Sequence, residues 1–422
     1  MASTPAVSLS LLVFCLAVTA ISGNARKVEL LMPNVQPRVA DTYLCLSLKA
    51  NTTASYIVGF QPHANMATAH HILLYGCGTP GKDAKIWNCG EMGPTFSRHY
   101  ATGPTCRTNP SILYAWAMDA PSLKLPKDVG FKVGGNSDVQ YLVLQIHYKN
   151  VDKFLPPKNE TDSSGLTLTV TDGPIRRRAG VYLLGTGGVI PRRSSVYLET
   201  ACLYNERIVL HPFSYRTHTH SHGKVVSGYL IHNGKWHELG RKNPQKPQMF
   251  YNTTTSGLEI RRGDILAARC TMVNKESHDI FIGPTQNNEM CNFYVMYYVD
   301  GAHIPEDNYC MSPGPLRWSW RNFYFQRRFK MSNAPDTISV EPESGTYYAQ
   351  EILQNEKESK AEDGEGVGEE VEKAKGEDEE MQNDEQMSEM SNLLHLLREE
   401  EEKEQEEEIK RRIQRYQKLM TK

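Results

Sequence analysis

The stretch Tyr141–Tyr148, YLVLQIHY, carries the reading of the fold. Its aromatic and β-branched content suits a strand, and a period of two puts Tyr141, Val143, Gln145 and His147 on one face. Working outward, similar runs occur at Tyr56–Phe60, Ile72–Tyr75, Leu166–Val170, Val225–Ile231 and Phe293–Val299. Gly, Pro, Asn and Asp punctuate the intervals, and long helical periodicity is absent. The pattern predicts an all-β protein of antiparallel β-sandwich domains. A composition break at 171–178, TDGPIRRR, separates a first domain, 24–173, from a second, 174–330. Arg176, Arg177 and Arg178 read as a solvated linker, with a processing site as the alternative.

The ends differ from this body. Residues 351–422 hold 24 acidic against 12 basic residues, which leaves 35 basic against 25 acidic in 1–350. The overall net charge of −2 thus sums a body at +10 and a tail at −12. A body so modestly basic argues against a nucleic-acid binder. Residues 331–422 are expected to form a linker and an acidic, largely disordered tail, with a charged helix near 391–422. At the other end, 1–23 reads as a secretory signal with an apolar run at Val7–Ala20; a membrane anchor would need a longer one. No other stretch is long enough to span a membrane, so the expected location is the secretory pathway, secreted or in a vesicle lumen.

Cysteine usage points to the same compartment. Beyond Cys15 the chain has Cys45, Cys77, Cys89, Cys106, Cys202, Cys270, Cys291 and Cys310, an even set that reads as four disulfides. No C-x-x-C pair suggests structural zinc. Asn51, Asn159 and Asn252 head glycosylation sequons.

Histidines carry the chemistry. His70 and His71 open the strand HHILLYG, His147 lies in YLVLQIHY, and His218-Thr-His220 follows Arg216, with His222 beyond. A lone strand histidine is usually structural, but an adjacent pair and an H-x-H in one secreted chain are harder to dismiss. On a strand, residues i and i+2 point the same way, so His218 and His220 can share a metal with Arg216 beside them. In 290–296, MCNFYVM, Met290, Asn292, Tyr294 and Met296 share a face while Cys291 points away. Two imidazoles and a thioether suit copper and not zinc, although most strand methionines are core. His70 and His71 face opposite ways on a regular strand, so both reach one ion only at a strand end or bulge. With His147 they would make a three-imidazole site.

The strings DTYLC (41–45), HHILLYGC (70–77), ILYAWA (112–117), LPKDVGFKVGG (125–135), LQIHY (144–148), GDILAARC (263–270) and EMCNFYVMYY (289–298) resemble those of peptidylglycine α-hydroxylating monooxygenases. So does 215–229, with YRTHTH and GKVVSGY. The resemblance spans about residues 29–315 and implies two jelly-roll-like β-sandwiches with a solvent cleft between two coppers. It implies ascorbate as reductant and O2 as co-substrate. His70, His71 and His147 match the electron-transfer copper site, and His218, His220 and Met290 the oxygen-binding catalytic site. Arg216 matches the residue that pairs with the substrate carboxylate, with Asn292 and Tyr294 lining the same pocket. His222 matches no ligand. The implied disulfides are Cys45–Cys89, Cys77–Cys106, Cys202–Cys310 and Cys270–Cys291.

The activity implied is hydroxylation of the α-carbon of a C-terminal glycine in peptides, the first step of C-terminal amidation. A separate lyase is then expected to act on the product, because this sequence enters the acidic tail where many relatives continue into a lyase domain. Two alternatives remain at this stage: an amine hydroxylase like dopamine β-hydroxylase, and a secreted copper-binding protein without catalysis. A fifth disulfide common in the family is missing near Asn159–Ser164, which predicts a looser N-terminal segment by about 2–4 kcal/mol if nothing compensates.

Overall fold

Each of the six runs singled out above becomes a strand: Ser55–His63, His71–Cys77, Tyr141–Tyr148, Gly165–Thr171, Gly223–His232 and Asn292–Asp300. The computed structural model describes residues 25–352, apart from 91–96, 286, 302, 316, 323–328 and 330. The expected signal, 1–23, and the tail from 353 onward with its helix lie outside the described residues. Among the described residues the protein is all-β, and its helical content is three short 3-10 turns.

In the first half, a five-stranded sheet runs in the order Ile86–Asn88, Thr42–Lys49, Tyr141–Tyr148, His71–Cys77, Ser111–Ala117. Its apolar residues, among them Leu44, Ile72, Leu74 and Ile146, pack with Ile57, Phe60, Leu166 and Leu168 of a facing sheet. In the second half, Lys235–Lys242, Gly223–His232, Ile265–Asn274 and Ser194–Leu203 form the outer sheet, with Arg177–Thr186, Asn292–Asp300 and His211–His218 opposite. The two inner sheets are one. Val129 and Gly130 pair in parallel with Arg177 and Arg178, and a ten-stranded sheet runs through both halves.

Strand Asn292–Asp300 shows why this arrangement fixes a site. Phe293, Val295, Tyr297 and Val299 enter the second core, whereas Tyr294 and Met296 enter the first. Both faces are apolar because both are covered, and each such side chain contributes about 1.5–3 kcal/mol on burial. Disulfides join Cys45–Cys89, Cys77–Cys106, Cys202–Cys310 and Cys270–Cys291, so Cys291 does point away from Met290 and Asn292.

Three local expectations are corrected. Arg177 and Arg178 are strand residues and not a solvated linker: Arg177 Nε donates to Asp300 Oδ1 at 3.0 Å, and Arg178 lies 4.5 Å from the Tyr56 ring. Aromatic faces and a carboxylate hold these cations in place. Residues 331–352 are not a free linker either. Ile338, Ser339 and Glu341 are buried, and Glu351–Ile352 pairs with Ser194–Ser195. Tyr229, Ile231 and Ala267 on the outer sheet need an apolar cover, and Ile338 and Trp320 supply it. Finally, the N-terminal segment, expected to be looser without a fifth disulfide, is held by hydrogen bonds. Ala25–Leu31 pairs along its whole length with Gly165–Thr171, Val35 exchanges two backbone bonds with Asp162, and Gln36 Nε2 donates to Asn159 O. Asn51, Asn159 and Asn252 are all exposed.

Candidate metal centres

His71 and His147 are cross-strand partners, and His70 stands one residue before its strand begins. The strand end is what lets two adjacent histidines turn to one point. One ring nitrogen from each of His70, His71 and His147 lies within 4.8 Å of the other two. His147 is fully buried, its Nε2 donates to Asp41 Oδ1 at 2.9 Å, and Tyr43 stacks on it at 4.0 Å. With the proton on Nε2, the Nδ1 lone pair faces His70 Nδ1 at 3.1 Å. Burial, then the other imidazoles, lowers the His70 pKa to about 3 and puts His71 well below its ordinary value. For His147 burial also lowers it, against the pull of Asp41. All three are neutral at pH 7, the form in which imidazole binds a metal.

The second set forms where His211–His218 ends. His218 closes that strand and His220 lies beyond it, so the H-x-H pair spans a strand terminus and not an unbroken strand. Their ring centroids are 5.5 Å apart. His218 Nδ1 donates to Gln248 Oε1 at 2.5 Å, and His220 Nδ1 donates to Asn288 O at 2.8 Å. Burial and then Arg216 hold the His218 pKa well below normal. His220 Nε2 is buried with no hydrogen-bond partner, an unpaired lone pair that a soft cation would satisfy.

Asn292 pairs with His218 at the end of the ladder, and Met290 and His220 each lie two residues beyond that pair. Glu289 fastens the two: its carboxylate accepts from His220 N at 2.7 Å and from Met290 N at 2.9 Å. It also accepts from His222 N at 2.7 Å and His222 Nδ1 at 3.1 Å, which ties His222 to the same carboxylate as His220 and Met290. Burial pushes the Glu289 pKa up, but these hydrogen bonds outweigh it and hold the group ionised.

Arg216 is buried two residues before His218 on the same strand face. Its Nε donates to Gln248 O at 2.9 Å and its NH2 group to Gln248 Oε1 at 3.2 Å. The Tyr294 ring lies 5.1 Å from the guanidinium carbon, and Asn292 Nδ2 stands 3.5 Å from Tyr294 Oη and 4.0 Å from Met290 Sδ. Arg216, Tyr294, Asn292 and Met290 therefore occupy one continuous face.

The two histidine sets, expected on opposite walls of a solvent cleft, are in contact. Ring centroids are 5.4 Å apart for His70 and His220, and 5.9 Å for His71 and His218. Tyr43 Oη donates across the same junction to Pro284 O at 2.5 Å. Sequence reasoning named every imidazole here but missed Asp41, Gln248, Asn288 and Glu289. Asp41 and Glu289 lay inside the strings DTYLC and EMCNFYVMYY; Gln248 and Asn288 carried no signal.

Imidazole and thioether donors, with the buried His220 Nε2 unpaired, fit copper. Models of the copper type II ascorbate-dependent monooxygenases match this chain, the N-terminal domain at residues 28–155 and the C-terminal domain at 177–323. Peptidyl-glycine alpha-amidating monooxygenase A of Xenopus laevis is 40% identical over 316 residues, which cover 74% of this chain and 31% of that protein. The Mus musculus peptidyl-glycine alpha-amidating monooxygenase is 38% identical over 290 residues, 68% of this chain and 28% of that one. Dopamine beta-hydroxylase of Homo sapiens is 26% identical over 306 residues, 66% and 47% of the two chains. The chain spans about a third of the length of the amidating monooxygenases it matches.

Proposed function

Since the chain belongs to the copper type II ascorbate-dependent monooxygenase family, we propose that it hydroxylates the α-carbon of the glycine that ends a peptide. His70, His71 and His147 hold one copper; His218, His220 and Met290 hold the other. Bound there, copper supplies the redox chemistry by which ascorbate gives two electrons and O2 gives one oxygen atom to the substrate and one to water.

The observation that carries this reading is the placement of Arg216. A buried guanidinium beside His218 on one strand face is a receptor for a carboxylate, and Tyr294 flanks it. Gln248 locks the guanidinium and His218 together, so a carboxylate held by Arg216 has a fixed distance to the metal ligands. Only the terminal residue then reaches the reacting position. A side chain on its α-carbon would crowd that position, which favours glycine. A phenethylamine, being cationic, is repelled by the same guanidinium, and this weighs against the amine-hydroxylase reading.

The product is a peptidyl-α-hydroxyglycine, whose carbinolamide bond a separate lyase would break to release the amide and glyoxylate. The disulfides fit a protein of the secretory pathway. The test is turnover of the copper-reconstituted protein with a glycine-extended peptide and ascorbate. A mass gain of roughly 16 units, with oxygen consumed in step, is expected. No oxygen uptake, or faster turnover of a phenethylamine, overturns the reading. Arg216→Gln should lower kcat/KM about a hundredfold for the peptide acid, and a carboxylate-free peptide amide should be a poor substrate already in the wild type.

A further inference from the structure

We propose that His222 is the entry ligand of the second metal set: its Nε2 captures an incoming copper ion and passes it to His218, His220 and Met290. The inference rests on those three being ligands and adds the route by which they are filled. His222 matched no ligand in the sequence, yet it continues the alternating run His218-Thr219-His220-Ser221-His222.

All three imidazoles of that run are fixed in the same way. The Nδ1 atoms of His218, His220 and His222 bond to Gln248 Oε1, Asn288 O and Glu289 Oε1, at 2.5, 2.8 and 3.1 Å. Ser221 Oγ also lies 3.1 Å from His222 Nδ1. Two carbonyls and an ionised carboxylate only accept, so Nδ1 carries the proton and the neutral ring keeps its lone pair on Nε2. What differs is access. His218 and His220 are buried, and His220 Nε2 is enclosed without a partner. The His222 side chain is 19% exposed, and its Nε2 is neither buried nor hydrogen-bonded among the described residues. That lone pair therefore opens to water.

Glu289 supplies the link inward. Its Oε1 holds His222 through N and Nδ1, while its Oε2 holds His220 N and Met290 N. The open imidazole and two buried ligands thus hang on the two oxygens of one buried carboxylate, which also strengthens the imidazole as a donor. At the surface, His222 Nε2 replaces one water of the hydrated ion. His220 Nε2 then bonds to the ion as His222 lets go. The ligands exchange one for one, no electron moves, and no proton leaves because both nitrogens offer lone pairs. A ligand used only in passing changes entry and exit rates equally and leaves the affinity as it was.

The experiment follows Cu(I) transfer from its coloured bicinchoninate complex to the copper-free protein. Wild type should take up two equivalents, and the one that survives in His147→Ala belongs to the second set. His222→Asn keeps an N–H that can reach Glu289 but has no nitrogen lone pair for a metal. Both His222→Ala and His222→Asn should slow loading of the second set about tenfold and leave the other equivalent unchanged. His222→Asn should also slow removal by excess chelator to the same extent, with an unchanged endpoint affinity. Loading of His222→Asn at the wild-type rate would make His222 a brace for Glu289 and overturn the proposal. So would an affinity that falls in step with the rate, or equal slowing of both equivalents. If wild type takes up no copper, it is the ligand assignment itself that fails. Matching melting temperatures would show that the variants fold.

Discussion

Gln248 and His218 are joined by a 2.5 Å hydrogen bond, and the Gln248 oxygen that accepts it also accepts from Arg216 at 3.2 Å. The Gln248 amide nitrogen is itself held by Thr219 O and Pro244 O. One buried amide therefore sets the tautomer of the His218 imidazole and the position of the Arg216 guanidinium. Gln248→Leu should lower copper affinity at this set about 10- to 100-fold and raise KM for the peptide as well. Copper retained after dialysis against a competing chelator measures the first effect. Wild-type retention would mean that His218 is oriented by something else.

Glu289 is the corresponding brace on the His220 side. It accepts four hydrogen bonds while buried, and no neutral side chain can accept them all equally well. Glu289→Gln should destabilise the copper-free protein by about 2–4 kcal/mol, since its amide turns one acceptor into a donor facing backbone N–H groups. Urea denaturation at neutral pH reads this directly. A midpoint within error of wild type would remove Glu289 from that role.

Met290→Ile replaces a thioether by an apolar side chain of similar bulk. The variant should fold, melt near the wild-type temperature and lose turnover. His147→Ala should bring bound copper from two per chain to one. Full activity in the first variant, or two coppers in the second, would contradict the ligand assignment.

Acid should weaken the copper-free protein for a definable reason. His70, His71, His147 and His218 all have lowered pKa values in the folded state, burial being the largest cause in each. In the unfolded chain each titrates near 6.5. As pH falls below that value the unfolded state takes up protons that the folded state refuses. Stability is thus complete above about pH 6.5 and is lost downward, by up to about 1.4 kcal/mol per pH unit for each such histidine. His70 stays neutral to about pH 3, so its share extends down to there. Denaturant midpoints between pH 8 and 5 test this, and a flat profile would contradict it. His70→Gln should make the decline shallower.

Much of the site was legible because local rules govern it. A period of two assigned Met290, Asn292 and Tyr294 to one face and Cys291 to the other, and the disulfide Cys270–Cys291 agrees. The need for a strand end at His70 followed from the same alternation, and the strand does begin at His71. Where the H-x-H pair was treated as an unbroken strand, the local rule failed. The chain leaves the sheet after His218, and Glu289, from a distant segment, restores the alignment of His220.

By itself the sequence determined the strands and the candidate donor residues, because side-chain periodicity and donor chemistry act over a few residues. The tertiary structure decided the rest. It brought His70 against His220, made Gln248 a link between Arg216 and His218, and carried residues 331–352 onto the outer sheet. Each of these depends on which strands become neighbours. That is settled by burying both faces of a shared sheet, an energy that belongs to no single segment of the chain.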